Sequence, residues 1–511
     1  MAPSAVPLDV FSHVEEDSHY RVKRIKLSSS KISISEAPGD DPVAIPSHPL
    51  GIKPSGNAYT ASEDIKSACG LFSRLPDELL NYLLERLDAF DLVTLGATCK
   101  ALYAFTTTEE LWKNLFIALP PKSFTWYGTW RSTYLKLPHT SEFRISCRNL
   151  YSDVLYRPFH CAHMPLKPYT TNIPPKNLIP RFSDLTHEEF STKWTDTPFI
   201  LTSPVKEWPI YENWTPKTLL SKYADVKFRA EAVDWPLKTY MDYMKNNNDE
   251  SPLYLFDQNF VEKTNISVGK DTKDAVYWPP TCFGEDFFSV LGDQRPDCRW
   301  MIMGPERSGS TFHKDPNATS AWNAVLTGTK YWLLFPSHPT LPLPPGVIIS
   351  HDQSEITSPL SIAEYLLSFH SIARLTPGCR EAICYAGEVL HVPSGWFHLV
   401  LNLSESLALT QNFVPRQRLA DVLEFLRDQK NQVSGFAENV TDAFGLFVAR
   451  LKESCPEVLE EVFGELERRG RKVGKQKSRG KWEELTRANE PRQDDIGFSF
   501  GFGNEDDEEV P

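Results

Sequence analysis

Ala321-Trp322-Asn323-Ala324-Val325-Leu326, followed four residues later by Tyr331-Trp332-Leu333-Leu334-Phe335, decides the fold. Two short runs of strand-forming residues are separated by a turn, and the same texture recurs along residues 251–414. Leu253–Phe256, Trp300–Met303, Thr311–Lys314, Ala382–Tyr385, Val389–Val392, Phe397–Leu403 and Leu407–Phe413 all read as strands. Many short strands with no long helix between them predict an antiparallel barrel or sandwich of jelly-roll type. Small barrels of this kind carry a site among their inward-facing side chains.

Outward from that segment, the chain has 511 residues, 41% hydrophobic and 24% charged. Those proportions are ordinary for a globular protein, with length for two to four domains at about 150 residues each. A net charge of −13, from 54 basic and 67 acidic residues, argues against a chain built mainly to grip nucleic acid. No apolar run approaches the roughly 18 residues of a membrane helix, so no membrane association is expected. Residues 1–20 lack the basic and apolar regions of a secretory signal. Nine cysteines without a Cys-x-x-Cys pair read as reduced thiols of a cytosolic or nuclear protein.

Residues 1–68, rich in proline and serine, are expected to form a tail. Within it, Arg21-Val22-Lys23-Arg24-Ile25-Lys26-Leu27 reads either as a nuclear localisation signal or as a solvated charge cluster. Residues 69–118 have a helical texture. Pro76 with Asp77 and Glu78 opens a helix; Leu79, Leu80, Leu83, Leu84 and Leu87 form one broad apolar stripe. Further short helices are expected from Asp91 and around Leu111–Phe116, giving a three-helix module. Residues 119–250, with six widely spaced tryptophans from Trp126 to Trp235, lead into the barrel of residues 251–415. Helices are predicted over Leu419–Asp428, Thr441–Leu451 and Pro456–Arg468, within residues 416–468. Residues 469–511 are basic, then acidic. The basic run of residues 468–481 reads as a nucleic-acid contact, a second localisation signal or a solvated tail.

Three polar residues stand out against the strand texture. His313 and Asp315 are two apart, so their side chains leave a strand on one face. In Phe397-His398-Leu399-Val400-Leu401, the apolar residues share one face and His398 takes the other. Two histidines and one carboxylate converging inside a barrel make a facial triad that leaves coordination positions open on Fe(II). By pattern alone His391, seven residues before His398, is a rival third ligand.

Two resemblances sharpen this reading. Leu75-Pro76-Asp77-Glu78-Leu79-Leu80, the leucine helix, Cys99-Lys100 and the late Leu111-Trp112 resemble an F-box over residues 71–116. That implies docking to the Skp-type adaptor of an SCF (cullin-RING) ubiquitin ligase. Gly304–Trp332, Ser251–Asp257, Gly395–Asn402 and Leu409–Phe413 resemble a JmjC domain, similar to the arginine demethylase and lysyl-hydroxylase once called the phosphatidylserine receptor. F-box plus JmjC resembles a fungal and plant protein type. The implied fold is α+β: a double-stranded β-helix (jelly-roll, cupin-like) barrel, with the F-box module before it and helices after it.

Carried over residue by residue, the resemblance implies that His313, Asp315 and His398 bind Fe(II), in preference to His391. It implies that Lys330 holds the distal carboxylate of 2-oxoglutarate, that Tyr254 and Thr410 hydrogen-bond the same carboxylate, and that Asn323 lines the cosubstrate pocket. Ser310 stands where relatives often carry threonine and keeps the hydroxyl. The activity implied is an Fe(II)- and 2-oxoglutarate-dependent dioxygenase acting on protein side chains, by lysyl hydroxylation or by demethylation of N-methyl arginine or lysine. Histones or RNA-associated proteins are candidate substrates, and the expected location is the nucleus, or nucleus and cytoplasm. The rival expectation is a ligase adaptor whose barrel recognises clients with little catalysis.

Overall fold

The computed structural model describes residues 45–137, 145–351, 355–359 and 361–469. A nine-stranded sheet runs in the order Arg181–Phe182, Phe199–Leu201, Val389–Val392, Ser320–Thr327, Ser406–Phe413, Arg299–Gly304, Leu255–Asp257, Lys227–Ala230, Val233–Pro236. A four-stranded sheet runs in the order Arg380–Tyr385, Thr329–Phe335, Phe397–Asn402, Gly309–His313. The strands that form the barrel pair antiparallel throughout. This is the expected jelly-roll within an α+β chain.

Alternation along each strand explains why the strands are almost wholly buried, because both of their faces are covered. In the small sheet, Tyr331, Leu333, Phe335, Phe397, Leu399 and Leu401 turn outward into a core shared with the helix Ile362–Leu375. The intervening Trp332, Leu334 and Val400 turn inward and meet Ala321 and Val325 of the large sheet. The large sheet's outer face, including Trp322, Leu326, Met301 and Leu409, packs against the tryptophan-rich segment. Burial of a large apolar side chain contributes roughly 1.5–3 kcal/mol, so these layers supply the main driving force for folding.

The F-box region contains four short helices, not three: Asp77–Leu84, Ala89–Gly96, Lys100–Thr106 and Glu109–Ala118. Lys100–Thr106 is a helix of its own because Cys99 leaves the preceding one and caps it, its sulfur accepting from the Leu102 N–H. The leucine stripe divides between two faces. Leu80 and Leu84 are buried, whereas Leu79 and Leu83 are exposed. The helix Ile362–Leu375 lies between two strands of the barrel, and Ser361 caps it by accepting from the Glu364 N–H. Helices at Leu419–Asp428, Ala443–Ser454 and residues 456–469 follow the barrel. The Arg21–Leu27 cluster, the basic run beyond Arg469 and the acidic end lie outside the described residues. Arg469 itself is occupied by Asp421 and Glu465.

One core joins the F-box to the barrel. Trp130 is its rivet: fully buried, it packs edge-on against Phe116 of the last F-box helix at 5.5 Å and against Trp126 at 5.2 Å. Its indole N–H donates to Asp249 at 2.9 Å, and its backbone N–H to Glu109. Trp130→Ala is expected to cost about 3–5 kcal/mol. Thermal unfolding followed by calorimetry should show one lowered transition; an unchanged barrel transition beside a lost F-box transition would refute the shared core.

Candidate active site

The strands Gly309–His313 and Phe397–Asn402 lie side by side with His313 directly opposite His398. Directly opposed residues of an antiparallel pair share a face, and the two imidazole centroids are 4.1 Å apart. Gly309 makes this closeness available, since a Cβ there would overlap the Val400 carbonyl oxygen. The register shifts between His398 and Val400, which re-aims the side chains at the end of the pair.

Each imidazole is held by its own strand. The His313 Nδ1 lies 2.8 Å from the Thr311 carbonyl, and the His398 Nδ1 lies 3.1 Å from the Trp396 carbonyl. A carbonyl only accepts, so both Nδ1 atoms carry the proton and both Nε2 atoms keep a free lone pair. Burial lowers both histidines to about 4, aided at His313 by the neighbouring His398. They are therefore neutral donors at pH 7. Asp315 is raised to about 6 by burial. Its Oδ1 accepts weakly from Asn412 at 3.4 Å, and its Oδ2 is buried without a partner. Such an oxygen is costly unless something positive meets it. Among the described residues, only Cys161, Glu250 and Glu364 bring three candidate ligand atoms within 4.8 Å of one another. The His313, Asp315 and His398 atoms are thus neighbours in a wider arrangement, and their donor types, two neutral imidazoles and a carboxylate, suit Fe(II).

Deeper in the barrel, Lys330 is wholly buried, with a relative exposure of 0%. Its ammonium donates to the Tyr254 hydroxyl at 2.6 Å and to Asn402 Oδ1 at 2.8 Å. It has no carboxylate partner among the described residues, and burial lowers its pKa to about 7. A carboxylate-bearing ligand fits a cation so placed. Asn323 and Thr410 are opposed on neighbouring strands. The Asn323 Oδ1 is buried and unpartnered, while the Thr410 hydroxyl donates to the Trp322 carbonyl at 2.9 Å. Ser310, Tyr254 and His313 line a common cavity of about 600 Å³.

His391 is elsewhere. It pairs with Trp322 on the face opposite to Asn323. There its ring nitrogens meet the Ala321 and Thr195 carbonyls at 3.3 and 3.2 Å, among Phe190, Phe199 and Phe283. It is a satisfied core histidine. Sequence reasoning passed over Asn402 and Asn412, which hold Lys330 and Asp315. Both were legible by parity, Asn402 sharing the inward face with His398 and Asn412 with Thr410.

Both modules of the chain are similar to known proteins. Residues 188–418 match the cupin-like domain model, and residues 72–118 match the F-box-like model. The chain is 38% identical to the arginine-specific demethylase JMJ22 of Arabidopsis thaliana, over 82% of this chain and 84% of that protein. It is 33% identical to the bifunctional arginine demethylase and lysyl-hydroxylase psr-1 of Caenorhabditis elegans, over 57% of this chain and 72% of that protein. It is 29% identical to the 2-oxoglutarate and iron-dependent oxygenase JMJD4 of Danio rerio, over 40% and 48% respectively. Fold and site thus define a cupin-like oxygenase. The chain belongs to the JmjC family and carries an F-box-like module. It is a dioxygenase that uses Fe(II) and 2-oxoglutarate.

Lys330 gives the site a pH signature. The free ammonium loses its proton near pH 7, and a bound carboxylate raises that value. Cosubstrate affinity should be full below pH 7 and fall by about tenfold per pH unit above it, until the bound-state pKa is reached. Titrating 2-oxoglutarate into the Mn(II)-loaded protein by calorimetry from pH 6 to 9 tests this; a flat profile would contradict it.

Proposed function

We infer that the barrel oxidises a side chain of a protein substrate, by lysyl hydroxylation or N-methyl arginine or lysine demethylation, with His313, Asp315 and His398 holding the metal. The observation that carries this is the pair of neutral, strand-anchored imidazoles at one end of the site and the acid-free, buried Lys330 at the other. Bound between them, Fe(II) and 2-oxoglutarate supply the power to insert one oxygen atom of O2 into a C–H bond, releasing succinate and CO2. The chain's own part is to bind and orient. Thr311 and Trp396 fix the imidazole tautomers, Asn412 turns the Asp315 carboxylate, and Tyr254 with Asn402 aims the Lys330 ammonium at the far carboxylate. Tyr254, which burial keeps protonated, adds a hydroxyl to the same end, and Thr410 and Asn323 add polar groups to the wall. The names of the relatives support an arginine or lysine side chain as the target.

The assay is succinate formation from 2-oxoglutarate by the purified chain with Fe(II) and ascorbate. His313→Ala should lose at least about 100-fold of the turnover, in the range removed with a ligand or its orienting partner. Equal turnover by wild type and variant would defeat this assignment.

A second reading, compatible with the first, is that the helical module docks a Skp-type adaptor and brings the oxygenase to a ubiquitin ligase. It rests on the exposed apolar residues Leu71 (78%), Phe90 (76%), Leu79, Tyr82, Leu83 and Val93. Leu79, Tyr82 and Leu83 share one face of the first helix by their spacing, and exposed apolar faces of this kind mark protein contacts. Phe90→Glu should abolish co-purification with a recombinant Skp-type adaptor without lowering the melting temperature. Retained binding would leave the module as a cap on the barrel.

A further inference from the structure

The cavity that reaches His313 also contains a cation that the inferred chemistry does not use. Arg307 lines its wall, six residues before His313. The backbone there is left-handed, with φ +75°, a conformation that a side-chain-bearing residue rarely adopts. The turn is nevertheless firmly held. The Arg307 N–H donates to the Asn402 carbonyl at 2.9 Å, and the Ser308 hydroxyl donates to the Pro305 carbonyl at 2.6 Å. Its Nη1 is buried and has no hydrogen-bond partner. Other partly buried arginines are matched: Arg295 with Asp286, Arg374 with Glu381, and Arg418 with Asp421. Arg307 has no ion pair among the described residues, and burial lowers its pKa. Glu231, in the same cavity, accepts from the Tyr254 N–H and makes no ion pair with Arg307. Lys330 is set apart behind Asn402, whose side chain spans from the ammonium to Ser308.

We propose that Arg307 is a specificity residue that receives the carboxylate of an aspartate or glutamate in the substrate polypeptide, within about six residues of the oxidised side chain. This rests on the active-site reading above. An extended chain advances about 3.3 Å per residue, so the six-residue span from Arg307 to His313 is at most about 20 Å. A guanidinium fork binds carboxylate in a bidentate manner, which fixes register as well as adding affinity. The substrate would then be held at two points, by its acid at Arg307 and by its reactive side chain near His313.

The test uses the full chain loaded with Mn(II) and 2-oxoglutarate without oxygen. Fluorescein-labelled 15-residue Gly/Ala peptides carry a central arginine or lysine and a single glutamate at each position in turn, beside glutamine counterparts. At least one glutamate register should bind tenfold or more tightly than its counterpart, and Arg307→Gln should erase that gain while leaving 2-oxoglutarate affinity unchanged. Arg307→Glu, which reverses the charge, should shift the preference to lysine, whose longer side chain spans the shorter glutamate, at the same register. The proposal is overturned if no register gains, if the gain survives Arg307→Gln, or if that variant instead loses 2-oxoglutarate. A gain for phosphoserine alone, with none for glutamate, also overturns it and assigns phosphate. Succinate formation by the wild type, measured separately, reports on the active-site reading itself, so failure of one leaves the other readable.

Discussion

Everything at the site depends on the register between two strands, the one that sets His313 against His398. Strand side chains alternate with a period of two, so a slip of one residue would send one imidazole into the outer core and leave the other alone. Packing and backbone closeness both enforce the register. Outward, Phe397, Leu399 and Leu401 are locked under the helix Ile362–Leu375; between the two strands, Gly309 permits an approach that any side chain would block. Packing energy on the apolar face thus pins the polar face, and the imidazoles need only their own backbone carbonyls to fix their tautomers.

The same logic places Lys330. It stands opposite Asn402 in the adjacent pairing of the same sheet, so one strand, Phe397–Asn402, carries both His398 and the partner of the buried ammonium. The two ends of the site are rigidly related through that strand. A buried cation without an acid is unfavourable in the free protein, and its depressed pKa records that cost. An anionic ligand bound there would relieve the cost and couple binding to protonation through one residue. The tryptophan-rich segment enters the cavity through Glu231, which accepts from the Tyr254 N–H; much of that segment and the F-box share one core with the outer face of the large sheet.

Much of this was legible in the sequence. The barrel strands announced themselves through short runs of β-branched and aromatic residues, and the inward parity of His398 followed from Phe397, Leu399 and Leu401. What the sequence concealed has physical reasons. The strands Phe199–Leu201, Lys227–Ala230 and Val233–Pro236 are too short for a periodic signal, and only pairing with the large sheet makes them strands. The helix Ile362–Leu375 follows turn-like residues that masked its spacing, although Ile362, Tyr365, Leu366 and Ala373 do recur at helical intervals. Lys100–Thr106 was invisible because a cysteine, an uncommon cap, starts it. His391 could not be separated from His398 by spacing, since both precede or follow the same turn; only the pairing with Trp322 shows which face it takes. Arg307 had no periodic signature, because it sits in a turn.

The central claim is that one strand register brings a metal-binding end and a carboxylate-binding end into a single barrel. A crystal structure of the chain with Mn(II) and 2-oxoglutarate, using anomalous scattering to locate the metal, tests it most directly. Manganese is expected against His313, Asp315 and His398, with the far carboxylate of 2-oxoglutarate on Lys330. Manganese at Cys161, Glu250 and Glu364 instead, or a cosubstrate bound away from Lys330, would contradict it.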